Sequence, residues 1–242
     1  MTEDLINNKN IYFPSYLGTN DKLMTLLNRT SKTLCDWFSK ADKNGPLPFD
    51  ENFKCIMPRE EGDSADDLFS EIESLLTNSF NPVHPGSLAH LDPPPLIFSI
   101  LGDLIAAGLN NNLLAYELSP SITLLEDSLC KWFAFKLGFN NSSGGIAASG
   151  GTLSNLNALI AARHNAGLSS DPNSVLLVSE DAHSSFIKCI RIMGLDDKNL
   201  VKIKTDNNGR MDVHNLKKSL DQCSIDNKKV FAIVATLGTT VR

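Results

Sequence analysis

Three short apolar runs, each set between helix-patterned segments and only one of them interrupted by a charge (Lys202), constrain this chain more than any other feature. They are Val175–Val178, Leu200–Ile203 and Val230–Ala235. A strand with one wet face alternates apolar and polar side chains, whereas a strand that is apolar throughout is covered on both faces. Such strands alternating with helices imply an α/β domain with a mostly parallel sheet. The helices follow from their periodicity. One spans Thr152–Ala166 with Leu156, Leu159, Ile160 and Arg163 spaced around it, a second spans Ser184–Met193, and a third is opened by Asp212 and carries Val213, Leu216 and Leu220. A brief strand is expected at Ile146–Ala148.

Residues 1–80 have a different texture. Asp21–Lys40 is helical in pattern (Leu23, Leu26, Leu27, Leu34, Trp37, Phe38), as is Asp63–Asn78 (Leu68, Ile72, Leu75, Leu76), with a turn-rich break at Asn44-Gly-Pro-Leu-Pro between them. These stripes lack a core of their own, so the two helices are expected to pack on the main domain or on a partner. A loop punctuated by proline covers 81–95 and holds His84, Ala89, His90 and Asp92. Fixed proline angles make it a shaped loop rather than a linker. Helices follow at Leu96–Leu109 and Ser121–Leu137. Ser119 or Ser121 is placed to cap the second, with Pro120 in its first turn.

Charge and composition narrow the function. The 242 residues are 42% hydrophobic and carry a net charge of −6. No Lys/Arg stripe offers a nucleic-acid footprint. The longest apolar window, Pro95–Leu109, contains Asp103 and is too short to span a membrane. The N-terminus lacks the pattern of a secretory signal. Five scattered cysteines, without a CxxC or zinc spacing, fit a reduced cytoplasm.

Candidate chemistry collects where strands end. Ser149-Gly150-Gly151-Thr152 lies between the short apolar stretch and a helix, where free backbone N–H groups can hold a phosphate. An ordinary strand-to-helix turn fits the same residues, and neither a Walker loop nor GxGxxG is present. His183, just past the strand Val175–Val178, is placed to stack on a flat cofactor or move a proton. Capping the next helix is the plain alternative. Thr236–Thr240 forms a third strand-end loop, with Gly238 flanked by hydroxyls. His84 and His90 lack a third ligand at metal spacing and read as structural loop residues.

The ordered motifs resemble the group II pyridoxal-phosphate-dependent amino acid decarboxylases over about residues 70–242. They are His84-Pro85, Ala89-His90-Leu91-Asp92 with three prolines, Asn110–Asn112, Glu117-Leu-Ser-Pro120 with Leu125-Glu126, Ser149–Asn155, Ser179–Ser185, Gly209-Arg210-Met211-Asp212 and Ala235–Thr240. The resemblance implies the large domain of the aspartate-aminotransferase-like fold (fold type I), pyridoxal 5'-phosphate as cofactor and a homodimer. It implies a carboxy-lyase acting on a small L-amino acid, in amino acid and carboxylic acid metabolism. By analogy Gly150, Gly151 and Thr152 hold the cofactor phosphate. His183 stacks on the pyridine ring as the candidate catalytic group. Thr239 or Thr240 lies near the cofactor, and His84, Ala89 and His90 belong to a substrate-facing loop. Residues 1–80 are then a helical dimerisation segment and 81–242 a partial cofactor-binding α/β domain.

Two family motifs are missing. The lysine of an Asn-x-His-Lys motif forms the Schiff base, and the aspartate of an Asp-Ala-Ala motif keeps the pyridine nitrogen protonated. Neither occurs in the 242 residues. Lys188, Lys202 and Lys204 read as surface residues. The expectation is therefore a truncated N-terminal half, inactive alone or completed by a separate C-terminal chain. The alternative is a non-catalytic interaction protein that pairs with a full-length homologue. Asp92-Pro-Pro-Pro and Asn110–Asn112 lean toward diaminobutyrate- or glutamate-type members, while Gly86-Ser87-Leu88 lacks the paired aromatics of many relatives.

Overall fold

The computed structural model describes Pro14, 19–45, Phe53, Met57, Glu60, 62–88 and 91–239. It divides into two compact units, Met1–Asn110 and Asn111–Arg242. By contacts, the proline-rich loop and the helix after it group with the N-terminal helices.

In the first unit, helix α1 spans Asp21–Ser39, α2 spans Ala65–Thr77 and α3 spans Ile97–Leu109. Ser64 caps α2, its hydroxyl oxygen accepting the Asp67 N–H at 3.1 Å, one of the donors a helix start leaves unpaired. The first two helices pack on each other, where their stripes alone pointed to another body. Phe69 of α2 is buried, the Arg29 guanidinium of α1 lies 4.1 Å above its ring, and Arg29 pairs with Asp66. Asn81, also buried, donates to the Trp37 carbonyl oxygen at 3.4 Å. Helix α3 ends at Asn110, whose φ of 44° is the left-handed stop that asparagine tolerates.

In the second unit, α4 spans Pro120–Lys136, α5 Gly151–Asn165, β1 Ser174–Ser179, α6 Ser185–Ile192, β2 Leu200–Ile203, α7 Val213–Ile225 and β3 Lys229–Val234. The strands form a parallel sheet in the order β2-β1-β3, with Leu176 opposite Leu200 and Val175 opposite Val230. A one-residue irregularity after Val175 then sets Leu176 against Ala232. Every residue of β1 is buried, as its apolar run required. Leu176 and Val178 face a core with Leu159 of α5 and Phe186, Cys189 and Ile190 of α6. Val175 and Leu177 face the opposite core with Ile203 and Cys223 of α7. This period-2 division puts α5 and α6 on one face and α7 on the other. Burying each of the Val, Leu, Ile and Phe side chains among them contributes about 1.5–3 kcal/mol.

Two local expectations change. Residues 146–148 form no strand. The Ala147 N–H donates instead to the Glu126 carboxylate of α4 at 2.7 Å, so its backbone pairing goes to a side chain. Ser119 stands at the start of α4, behind Pro120, but its side chain makes no cap bond. Asp212 does cap α7 as expected, accepting from His214 N–H at 2.8 Å and Asn215 N–H at 3.2 Å. Arg163 of α5 is buried near the turn that leads into β1. Its guanidinium donates to the carbonyls of Leu168 (2.9 Å), Met193 (3.0 Å) and Asp171 (3.0 Å) and so ties the end of α5, the turn before β1 and the end of α6. Among the described residues, no helix is long and apolar enough to cross a membrane.

Candidate functional site

The first turn of α5 is an open polar feature of the second unit. Gly150 stands at its N-cap, and the first intrahelical bond runs from Ser154 N–H to the Gly150 carbonyl at 3.0 Å. The N–H groups of Gly151, Thr152 and Leu153 precede that bond, so the helix has no acceptors for them. Ser149, Gly150, Gly151 and Thr152 are all exposed. Three unpaired amides and the positive end of the helix dipole favour an anion there.

The glycines support that reading. Gly150 is extended, with φ 170° and ψ 164°, and neither it nor Gly151 has a positive-φ backbone that only glycine adopts easily. No heavy atom lies within 4 Å of a Cβ built at either position. Nothing in the described protein therefore demands glycine at these two places. A group lying close against the backbone would demand it. This loop fits a cofactor phosphate.

The helix carrying the loop is braced against α6. Asn155 Nδ2 donates to Ser185 Oγ at 3.0 Å, and the Cys189 thiol donates to the Thr152 carbonyl at 3.7 Å. Ser185 and Cys189 are fully buried. Helix α6 starts just beyond β1, so these contacts bring the glycine turn to the carboxyl edge of the sheet, where α/β proteins bind ligands. Burial pushes the Cys189 thiol above its ordinary range, which suits a packing role and not a nucleophile.

His183 lies on that edge and makes the local bond that the plain reading anticipated. Its Nδ1 accepts the Ser185 N–H at 3.1 Å. With Nδ1 an acceptor, a neutral ring carries its proton on Nε2. The residue is exposed, so capping α6 and presenting a ring face to a ligand are compatible. His183 lines a hollow with Ser179, Asp181, Phe186 and Lys202. A second hollow is lined by Ser179, Arg210, Met211, Thr236, Gly238 and Thr239. Ser179, ending β1, borders both. The glycine turn lines neither hollow. The Thr236 hydroxyl is buried without a partner among the described residues.

Among the substrate-loop residues, only His84 is described. It belongs to the first unit, where its Nδ1 accepts the Gly86 N–H at 2.9 Å within its own turn. Ala89, His90 and Thr240 lie outside the described residues. Sequence reasoning assigned no role to Glu126, Asn155 or Arg210, although each stands within a quoted motif. A contact across 30 residues, such as Asn155 to Ser185, has no periodic signal to expose it.

The family model of the pyridoxal-dependent decarboxylase conserved domain matches residues 55–242. Similar sequences include an L-2,4-diaminobutyrate decarboxylase of Acinetobacter baumannii, 30% identical over 189 residues, covering 70% of this chain and 37% of that one. An aromatic-L-amino-acid decarboxylase of Bacillus atrophaeus is 32% identical over 171 residues, covering 69% of this chain and 35% of that one. Among solved structures, the glutamate decarboxylase domain of a Vibrio parahaemolyticus diaminobutyrate-pyruvate transaminase and L-2,4-diaminobutyrate decarboxylase shares the fold. It does so with a TM-score of 0.87 at 21% identity, over 98% of this chain and 56% of that one. Oryza sativa TDC with PLP and tryptamine gives 0.82 at 22% identity, over 94% and 51%. The chain thus spans little more than a third of those curated relatives and about half of those solved chains. The motif order, the parallel sheet with its glycine turn and the match over 55–242 agree, and the chain belongs to the pyridoxal-dependent decarboxylase family, whose cofactor is pyridoxal 5'-phosphate.

Proposed function

We propose that this chain supplies the cofactor-phosphate half of an L-amino acid decarboxylase site. The observation that carries this is the first turn of α5. It holds three amides without helix acceptors and two glycines that the described protein does not itself require. In this reading Gly151, Thr152 and Leu153 N–H groups and the Thr152 hydroxyl bind the phosphate. The exposed His183 ring, held from its Nδ1 side by Ser185 N–H, covers one face of the pyridine. Thr239, which lines the second hollow of the edge, lies near the cofactor, and Thr240 shares that role by the family analogy alone. Bound cofactor supplies an electron sink for the carbanion left when carbon dioxide departs. The residues named here bind and orient; none of them holds the cofactor covalently.

Neither the lysine motif nor the aspartate motif of the family stands within the 242 residues. These residues alone are therefore proposed to bind the cofactor reversibly and to leave the substrate unreacted. Assembly as a homodimer belongs to the same reading. It is supported by large apolar side chains left exposed on α4, among them Leu125, Leu129 and Phe133. A cytoplasmic setting is supported by cysteines that remain free thiols in the described residues.

Titrating pyridoxal phosphate into the purified chain and treating the mixture with borohydride tests the proposal. The expected result is saturable binding that inorganic phosphate reverses, with no lysine reduced onto the cofactor. Stoichiometric reduction onto one lysine, or binding indifferent to phosphate, would contradict it.

A further inference from the structure

The chain entering the phosphate loop is held by a different helix from the one on its leaving side. Glu126 of α4 is half-buried, and its Oε1 accepts the N–H of Ala147, 21 residues on, at 2.7 Å. A second contact lies one helical turn further along α4. A Cβ built on Gly145 would stand 3.2 Å from Cys130 Cβ, so the backbone there runs tight against the helix and only glycine allows it without a shift. Residues 126 and 130 share a face of α4. Together they pin 145–147 to that face.

The pin bears directly on the glycine turn. Residues 146–148 have no ladder hydrogen bonds, so no sheet neighbour fixes them. Between Ala147 and the Ser154-to-Gly150 bond that starts α5, no other protein hydrogen bond holds a backbone N–H among the described residues. The glycine turn is thus suspended between two anchors. Glu126 holds it on the entering side, and the Asn155–Ser185 and Cys189–Thr152 contacts hold it on the leaving side. Two of the residues between the anchors are glycines, the most freely rotating kind. Without the entering anchor, the direction of the Gly151–Leu153 amides is set from one end only.

Resting on the phosphate-binding reading above, we propose that Glu126 is a positioning residue for the cofactor phosphate. Its carboxylate sets the entry of the loop, and through it the affinity of the first turn of α5 for a phosphate. The role needs an acceptor oxygen at that place and not a charge. Glutamine supplies the oxygen; alanine does not.

The test compares pyridoxal phosphate with pyridoxal, which lacks the phosphate, on the 242-residue chain. Amide hydrogen exchange is followed at Ala147 and along β1. In the unsubstituted chain the phosphate ester is expected to bind much more tightly than pyridoxal. E126A is expected to lose protection at Ala147 but not in β1, and to weaken pyridoxal phosphate by about tenfold, the effect of one hydrogen bond to a charged group. Pyridoxal binding should stay within about twofold, less than one ordinary hydrogen bond, since pyridoxal has no phosphate for the first turn of α5 to hold. E126Q is expected to recover most of the loss. If E126A also loses protection in β1, G145A carries the test, because it lifts the segment from Cys130 with Glu126 intact and should give the same selective loss. A folded variant that keeps the full preference for the phosphate ester, or a glutamine variant as weak as alanine, would overturn the positioning role alone. An unsubstituted chain with no preference for the phosphate ester would overturn the phosphate-binding reading, and this inference with it.

Discussion

Replacing Gly151 by alanine separates two demands on one position. The protein itself leaves room for the methyl group, and alanine favours a helix over glycine. Stability is therefore expected to hold or rise, by up to about 1 kcal/mol. Affinity for pyridoxal phosphate is expected to fall on the order of tenfold, because the methyl group occupies the close-approach surface. Urea melts and a cofactor titration on the same sample check both halves, and an unchanged affinity would remove the steric argument for a bound phosphate. Arg163 offers the opposite case, a side chain with a purely internal role. Arg163→Met removes the donor from three carbonyls at once and is expected to cost about 2–3 kcal/mol in a urea melt, with cofactor affinity preserved. At this scale the glycine turn and His183 stand out in the sequence as small residues and a histidine at strand ends, although an ordinary turn and a helix cap fit the same residues. Arg163 does not, since a buried arginine on a helix face looks in sequence like any solvated one. The plain reading of His183 is met by the Nδ1 bond to Ser185, and its ring stays exposed.

Among the elements, the link between α5 and α6 fixes where the site can form. Asn155→Ala and Ser185→Ala are expected to show a coupling of about 1 kcal/mol in a double-mutant cycle. Additive effects would mean that the 3.0 Å contact does not join the helices. The cap of α7 gives a pH signature. Its amide donors, Asn215 first and then His214, hold the Asp212 carboxyl below its ordinary value of 3.8. A carboxylate depressed in the folded state stabilises above its unfolded pKa and loses that contribution as pH falls through the lower folded value. The stability gap between the parent and Asp212→Ala is therefore expected to be constant near neutrality and to close on acidification below about pH 4. A gap independent of pH down to about 3 would place the effect elsewhere. The helices are readable here from their period and the strands from their apolar runs, as with Val175–Val178 inside β1. Ile146–Ala148 reads as a strand and is not one, because an apolar tripeptide does not say whether its amides meet a sheet or, as here, a glutamate.

On the scale of the whole molecule, each unit keeps apolar surface uncovered. In the second unit Phe133 and Phe135 of α4 are 53% and 68% exposed, and Leu125 is 60% exposed. Apolar patches of this kind mark interaction surfaces or aggregation sites. Sedimentation of the purified chain is expected to show concentration-dependent association, and a monomer at all concentrations would count against assembly through this surface. The unit boundary at Asn110/Asn111 is not legible in composition, because the contacts that group the proline-rich loop with the first helices, such as Asn81 to Trp37, cross long stretches of sequence. The most direct test of the central claim is an amide NMR titration with pyridoxal phosphate. Shifts centred on Gly151, Thr152 and Leu153, with Gly138 and Gly194 unmoved, are expected from a phosphate seated on the first turn of α5. Saturable binding that leaves those three amides in place would contradict it.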